Sequence, residues 1–136
     1  MVSAREASRA ASPGDRVIGW RLDPIQRTEL LARFPPRFTH VVADHVTLEA
    51  HVAKTSVLPE ETAGEIVGRS DDSAGVEAMA VRIAGTTDRP DGSTYHITWS
   101  LGDGREARES NDVIARLGWT PFEATVPVRL QPTILS

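Results

Sequence analysis

The sequence predicts an α+β fold with about six or seven strands and two helices. Most apolar residues fall in short runs rich in β-branched side chains, which are typical of strands. Two segments instead place apolar residues at helical spacing. Clusters of Pro, Gly and Asp separate these segments. The length of 136 residues suits a single domain.

The N-terminal part of the chain is predicted to contain a frayed end, a strand and a helix. Residues 1–14 are rich in Ala, Ser and Arg, and we expect them to be disordered outside a domain that covers 15–136. VIGWRL at 17–22 reads as a strand. Asp23 is the expected cap of an amphipathic helix over 24–33, since proline is favoured at the first helical position that follows it.

The rest of the chain reads mainly as strands separated by turns. Strands are predicted over 65–69, 75–83, 95–101 and 122–130, and one or two more over 39–53. A short helix is predicted over 110–117, with Ser110 or Asn111 as its cap and Gly118 at its end. TTDRPDGS, between two of the strands, has the composition of a tight turn.

Charge and cysteine content exclude several classes of protein. The net charge is −4, whereas proteins that bind long duplex nucleic acids usually carry a basic face. No run approaches the ~20 apolar residues of a membrane span, so no membrane partner is expected. The chain has no cysteine, so a metal site would depend on His and carboxylates. These features predict a cytoplasmic protein without a cofactor.

Two tetrapeptides share one pattern, in which histidine, an apolar residue, threonine and a second apolar residue follow each other. The first begins at His45 (HVTL) and the second at His96 (HITW). Side chains alternate between the faces of a strand, so His45 and Thr47 share one face, as do His96 and Thr98. Each strand then offers an imidazole beside a hydroxyl on the face away from the core.

This set of side chains suits the chemistry of a phosphodiester. With an ordinary pKa of about 6.5, one imidazole can be neutral and accept a proton while its partner is protonated and donates one. Threonine hydroxyls can donate hydrogen bonds to phosphate oxygens as negative charge grows on them. The scheme needs no metal ion, and the sequence assembles no evident set of metal ligands.

The paired tetrapeptides resemble the duplicated signature of the two-histidine (2H) phosphoesterase superfamily. Within it, the stretch from Tyr95 to Asn111 looks most like small bacterial RNA-repair-like proteins and the cyclic phosphodiesterase part of fungal tRNA ligases. The resemblance implies two pseudo-symmetric lobes of antiparallel sheet, with helices outside and a central cleft. It also implies hydrolysis of a cyclic phosphate, often at a 2′,3′-cyclic RNA end. His45 and His96 match the catalytic histidines, and Thr47 and Thr98 the phosphate-binding hydroxyls.

Other residues are weaker candidates for binding the substrate. Tyr95 is a candidate stacking surface for a base. Arg105 follows the second motif in a charged loop, where it either contacts a phosphate or keeps the loop soluble. His51 shares the face of His45 if the strand continues that far. A structural or surface role is favoured for His40. Asp44 either orients a nearby imidazole or stabilises a turn.

The sequence leaves three functional hypotheses open. The favoured one is a metal-independent phosphodiesterase acting on a 2′,3′-cyclic phosphate of an RNA end or a nucleotide. The second keeps the site but changes the substrate to a cyclic dinucleotide, a 2′-5′ linkage or an ADP-ribose cyclic phosphate. The third is a nucleotide- or RNA-end-binding module without turnover. The sequence does not indicate an oligomeric state.

Overall fold

The structure is a computed structural model that describes residues 2–135. Within these residues the chain forms three helices and seven strands, which confirms the predicted α+β class. The helices are α1 (Ala4–Ala10), α2 (Pro24–Arg33) and α3 (Glu109–Leu117). The strands are β1 (Pro13–Leu22), β2 (His40–Val41), β3 (His45–Val52), β4 (Ala63–Asp71), β5 (Val76–Arg82), β6 (His96–Leu101) and β7 (Thr120–Ile134).

The seven strands form one curled antiparallel sheet in the order β2-β6-β5-β4-β7-β1-β3. The long strand β7 joins two parts of it, because residues 120–129 pair with β4 and residues 130–134 pair with β1. The outermost strands, β2 and β3, follow each other directly along the chain. The segment 40–52 therefore belongs to both edges of the sheet and brings those edges together.

The hydrophobic core fills the space that the curled sheet encloses. Its two largest fully buried side chains are Trp20 and Trp99. The two motif strands contribute alternate residues to this core, namely Val46, Leu48, Ile97 and Trp99. Because strand side chains alternate, the histidines and threonines of both motifs project from the opposite, outer face of the sheet.

Helix α2 has the bounds that the sequence predicts, and α3 begins one residue earlier than predicted. Asp23 caps α2 by accepting a 2.9 Å hydrogen bond from the backbone N–H of Gln26. The predicted cap of α3 is wrong, since Arg108 takes the cap position without a side-chain hydrogen bond. Gly118 ends α3 with a φ of 70°, as expected. No helix in the described part of the chain is long and apolar enough to span a membrane.

Residues 2–14 are ordered, which corrects the expectation of a disordered segment at 1–14, of which residue 1 lies outside the described residues. Helix α1 buries the side chain of Ala4 in the core. The backbone N–H of Ala4 donates a 3.1 Å hydrogen bond to Glu61 Oε2, and Ser8 Oγ donates a 2.8 Å bond to Glu49 Oε2. These contacts join residues more than 40 positions apart in the chain, so they fix a helix that is too short to be stable alone.

Candidate active site

The two motif strands meet where the edges of the sheet come together. Residues 40–43 run antiparallel to residues 98–101 in one continuous register of backbone pairs and hydrogen bonds. The regular pairing ends there, because Ala43 has a positive φ of 41° and β3 continues by pairing with β1. Residues of β3 nevertheless lie within 8 Å of residues of β6 between Cα atoms, and the charge of His45 is one of the causes that lower the pKa of His96. The two imidazoles therefore share one region of the outer surface.

His45 is oriented by the carboxylate that precedes it. Its Nδ1 lies 3.0 Å from Asp44 Oδ2, which also accepts a 2.6 Å hydrogen bond from Arg21 Nη1. Arg21 is the residue of β1 that pairs with His45 across the sheet. A carboxylate accepts hydrogen bonds, so the proton of the ring is placed on Nδ1 and Nε2 stays available to a substrate.

The backbone orients His96 in a similar way, by holding its Nδ1. Its Nδ1 lies 2.9 Å from the carbonyl oxygen of Thr94, which can only accept, so Nδ1 carries a proton here too. Burial lowers the pKa of His96 below its usual 6.5. The Thr94 contact opposes this shift, while the charges of Arg89 and His45 lower the pKa further. His96 is therefore neutral at pH 7, with Nε2 free to accept a proton.

The two motif threonines differ in their surroundings. Thr47 is partly exposed, and its hydroxyl makes no hydrogen bond to another described residue. Thr98 is buried against α3, where its hydroxyl lies 2.8 Å from Ser110 Oγ and 3.3 Å from the carbonyl oxygen of Ala107. Ser110, which the sequence suggested as a helix cap, thus holds a motif threonine instead.

Tyr95 does not offer a stacking surface, in contrast to the expectation from the sequence. Its side chain is only 2% exposed and packs edge-on against Trp20 in the core, with 5.9 Å between ring centroids. Burial is also the main reason that the pKa of its hydroxyl is raised to about 12. Neither face of the ring is open to a base.

The other two weaker candidates, Arg105 and His51, do not form part of the site. Arg105 lies 2.9 Å from Asp72 and 3.1 Å from Glu109, so its guanidinium joins the loop after β4 to α3. It has a structural role rather than the suggested phosphate contact. His51 lies exposed near the end of β3 with a φ of 58°, where the regular alternation of the strand breaks down. His40 forms a surface pair with Asp103, as the sequence favours.

Arg89 is a buried residue near His45 and His96, which we call the dyad, and the sequence did not indicate it. Its side chain is 7% exposed, and its Nε and Nη2 donate hydrogen bonds of 3.3 and 3.2 Å to the carbonyl oxygen of Leu48. The loop that carries Arg89 is thereby tied to β3, next to Thr47. Its position in a polar turn gave no signal, because polar turns are normally solvent-exposed.

The arrangement places two imidazoles and a free hydroxyl on one surface. Two imidazoles have their Nδ1 atoms fixed and their Nε2 atoms free, beside the hydroxyl of Thr47. Among residues 2–135, no three His, Asp or Glu side chains converge to hold a metal ion. Comparisons with protein-family models, curated proteins and solved structures find no match to this chain.

Proposed function

We propose that the chain is a metal-independent phosphodiesterase that hydrolyses a 2′,3′-cyclic phosphate at an RNA end or on a nucleotide. The observation that carries the proposal is the geometry of the dyad. His45 and His96 come from distant parts of the sequence, lie close enough for the charge of His45 to lower the pKa of His96, and both hold Nδ1 to an acceptor. Two structural histidines have no need of matched, free Nε2 atoms.

The surroundings of the two rings suggest which is the base and which the acid. Neutral His96 takes a proton from the attacking water at Nε2. His45, whose Nδ1 is held by the carboxylate of Asp44, gives a proton from Nε2 to the departing ribose oxygen. One oxygen–phosphorus bond forms and one breaks, which leaves a phosphomonoester on the ribose. Solvent then exchanges protons with both rings and restores them.

The motif threonines complete the proposed mechanism. As charge develops on the non-bridging oxygens, the hydroxyl of Thr47 donates a hydrogen bond to one of them. The hydroxyl of Thr98 serves a second oxygen by exchanging its long bond to Ala107 for one to the phosphate. Ser110 keeps the Thr98 side chain in place during this exchange.

The strand pairing is compatible with the two lobes that a 2H phosphoesterase would have. One part of the sheet contains β1, β3 and the end of β7, and it carries the first motif. The other contains β2, β6, β5, β4 and the start of β7, and it carries the second. We therefore include a two-lobe architecture, with the motifs meeting between the lobes, in the proposal.

An assay with EDTA present tests the proposal. Wild-type protein is incubated with 2′,3′-cyclic nucleotides, RNA ends bearing a cyclic phosphate, cyclic dinucleotides and 2′-5′-linked dinucleotides. We expect turnover of the 2′,3′-cyclic substrates, and a loss of about 10² to 10⁴ in kcat/KM for His45→Ala and for His96→Ala. His40→Ala is the matched control, since His40 lies on the surface beside Asp103, and it should keep full activity.

Three results would contradict the proposal. Turnover that disappears with EDTA would show that a metal ion takes part. Binding of the cyclic substrates without turnover would favour a binding module. Turnover restricted to cyclic dinucleotides or 2′-5′ linkages would show that the site is catalytic but that the proposed substrate is wrong.

A further inference from the structure

A second feature of the surface is a cavity of about 800 Å³ between α1 and residues 83–95. Cavities of this size accommodate a nucleotide-sized ligand. Arg5, Arg9, Glu61, Arg89 and Tyr95 are among the residues that line it. Neither motif histidine lines the cavity, so it is distinct from the acid–base pair.

The cavity nevertheless adjoins the proposed catalytic pair. Tyr95, in its wall, directly precedes His96 at the start of β6. Arg89, also in the wall, donates to the carbonyl oxygen of Leu48, the residue after Thr47. The side chain of Tyr95 faces the core and that of His96 faces outward, so Arg89 is what links the two sites: it lines the cavity, and its charge lowers the pKa of His96.

Three arginines line the cavity, in a chain whose net charge is −4. Arg5 and Arg9 are one turn apart on α1, and neither forms an ion pair with another described residue. Arg89 adds a third guanidinium. The carboxylates of Glu61 and Asp88 also line the cavity, so both charges are present there. Exposed arginines without carboxylate partners suit a phosphate, which they can bind with two hydrogen bonds each.

The wall of the cavity also contains a buried acceptor without a donor. Glu61 Oε2 accepts the N–H of Ala4, whereas Glu61 Oε1 is buried and has no hydrogen-bond partner. Leaving such an atom unpaired is costly, so a ligand donor that reaches it gains a favourable hydrogen bond. The amino and imino groups on nucleobase edges are donors of this kind.

We propose that this cavity binds the nucleotide unit next to the cyclic phosphate, so that the preferred substrate is the end of an RNA chain rather than a free cyclic mononucleotide. Arg5 and Arg9 hold the phosphodiester that precedes the terminal nucleotide, and Glu61 accepts a hydrogen bond from its base. This inference rests on the proposed function, because it names the substrate of that same site.

Steady-state hydrolysis of two substrates tests the inference. One is 2′,3′-cyclic CMP and the other is a trinucleotide that ends in a 2′,3′-cyclic phosphate, both with EDTA present. We expect wild type to prefer the trinucleotide by at least about tenfold in kcat/KM, and the double variant R5A/R9A to lose most of that preference through a higher KM. The control R33A/R116A removes the same charge from α2 and α3, at arginines that also lack ion pairs, and it should keep the preference.

A binding measurement separates this inference from the proposed function. The probe is a fluorescein-labelled trinucleotide that ends in a 2′-phosphate, and its anisotropy is followed against salt concentration. Wild type should bind with a salt dependence that R5A/R9A reduces, because each phosphate contact releases counterions. Glu61→Gln keeps the side-chain size but removes the negative charge and one acceptor oxygen. It should weaken binding of the same probe.

The outcomes distinguish the two claims. If wild type hydrolyses both substrates equally well, and R5A/R9A changes neither the ratio nor the binding of the probe, the cavity inference fails while the proposed function stands. If wild type hydrolyses neither substrate, the proposed function fails. In that case, if R5A/R9A weakens binding of the probe, a nucleotide site in the cavity is still supported. If R5A/R9A leaves probe binding unchanged, the cavity inference fails as well.

Discussion

Asp44 Oδ2 lies 3.0 Å from Nδ1 of His45 and at the same time accepts a hydrogen bond from Arg21 on the neighbouring strand. The carboxylate thus joins the imidazole to the sheet through the guanidinium of Arg21. This contact fixes both the orientation of the ring and the nitrogen that carries its proton. We therefore regard Asp44 as a positioning residue of the proposed reaction.

Asp44→Asn should lower catalysis without unfolding the protein. The amide has the size of the carboxylate but can present its NH2 group to Nδ1, so it no longer holds the proton of the ring on that nitrogen. We expect kcat to fall by about 10- to 100-fold, as for other residues that orient a catalytic group, with a small change in KM. Steady-state kinetics on a 2′,3′-cyclic nucleotide measures both parameters.

The chain offers a matched control for this variant. Asp103→Asn removes an equally close carboxylate, 2.7 Å from His40 Nε2, at an exposed pair away from the motifs. It should leave kcat unchanged. Equal losses in the two variants, or none in Asp44→Asn, would contradict a positioning role for Asp44.

The lowered pKa of His96 predicts the acidic limb of the pH profile. A general base acts only when it is neutral, so kcat/KM should fall with decreasing pH around a midpoint below 6.5. The midpoint is read from the pH dependence of kcat/KM and from an NMR titration of the imidazole. A midpoint above 6.5 in both measurements would contradict the assignment of His96 as the base.

The lowered pKa of His96 also makes the stability of the fold depend on pH. Because the pKa of His96 is lower in the folded than in the unfolded chain, the unfolded chain binds more protons in the interval between the two values. The contribution of His96 to stability is therefore present above pH 6.5 and is lost as the pH falls through the folded-state pKa. Wild type should lose more stability than His96→Asn between pH 7.5 and 5.5, as measured by urea unfolding.

The features that the sequence predicted well depend on neighbours along the chain. Helix α2 was placed correctly because Asp23 caps it and two prolines follow it. The faces of both motifs followed from the alternation of a strand. In contrast, α1 is held by Glu61, 57 residues from its partner Ala4, and Arg89 is held by Leu48, 41 residues away. Contacts over such separations leave no periodic signal in the sequence.

The two motif threonines should respond differently to removal of the hydroxyl. Thr47→Val removes a group without an internal partner, so we expect little change in stability and a loss of about 10- to 100-fold in kcat. Thr98→Val leaves the buried hydroxyl of Ser110 without its partner, so it should also reduce the free energy of unfolding by about 1–3 kcal/mol. Kinetics and urea unfolding on both variants separate these effects. Equal stability losses would contradict the difference in their surroundings.

Glu77 is a fully buried carboxylate whose removal should destabilise the fold. Its Oε1 accepts hydrogen bonds from the backbone N–H of Arg37 at 3.0 Å and from Ser100 Oγ at 2.6 Å, and its Oε2 lies 3.1 Å from Arg69 Nε. Glu77→Ala leaves these donors and a charge without a partner, so we expect a loss of about 3–5 kcal/mol in the free energy of unfolding. Urea unfolding monitored by tryptophan fluorescence measures it.

Two further variants test whether burial is the cause of that loss. Glu77→Gln keeps the size and most of the hydrogen-bonding capacity, so its cost should lie well below that of Glu77→Ala. Glu65→Gln disrupts a comparable ion pair with Arg82, 3.0 Å long, in which both side chains are more than one third exposed. Because solvent screens such a pair, its loss should cost at most about 1 kcal/mol. A Glu65→Gln loss as large as that of Glu77→Ala would show that burial is not what makes Glu77 important.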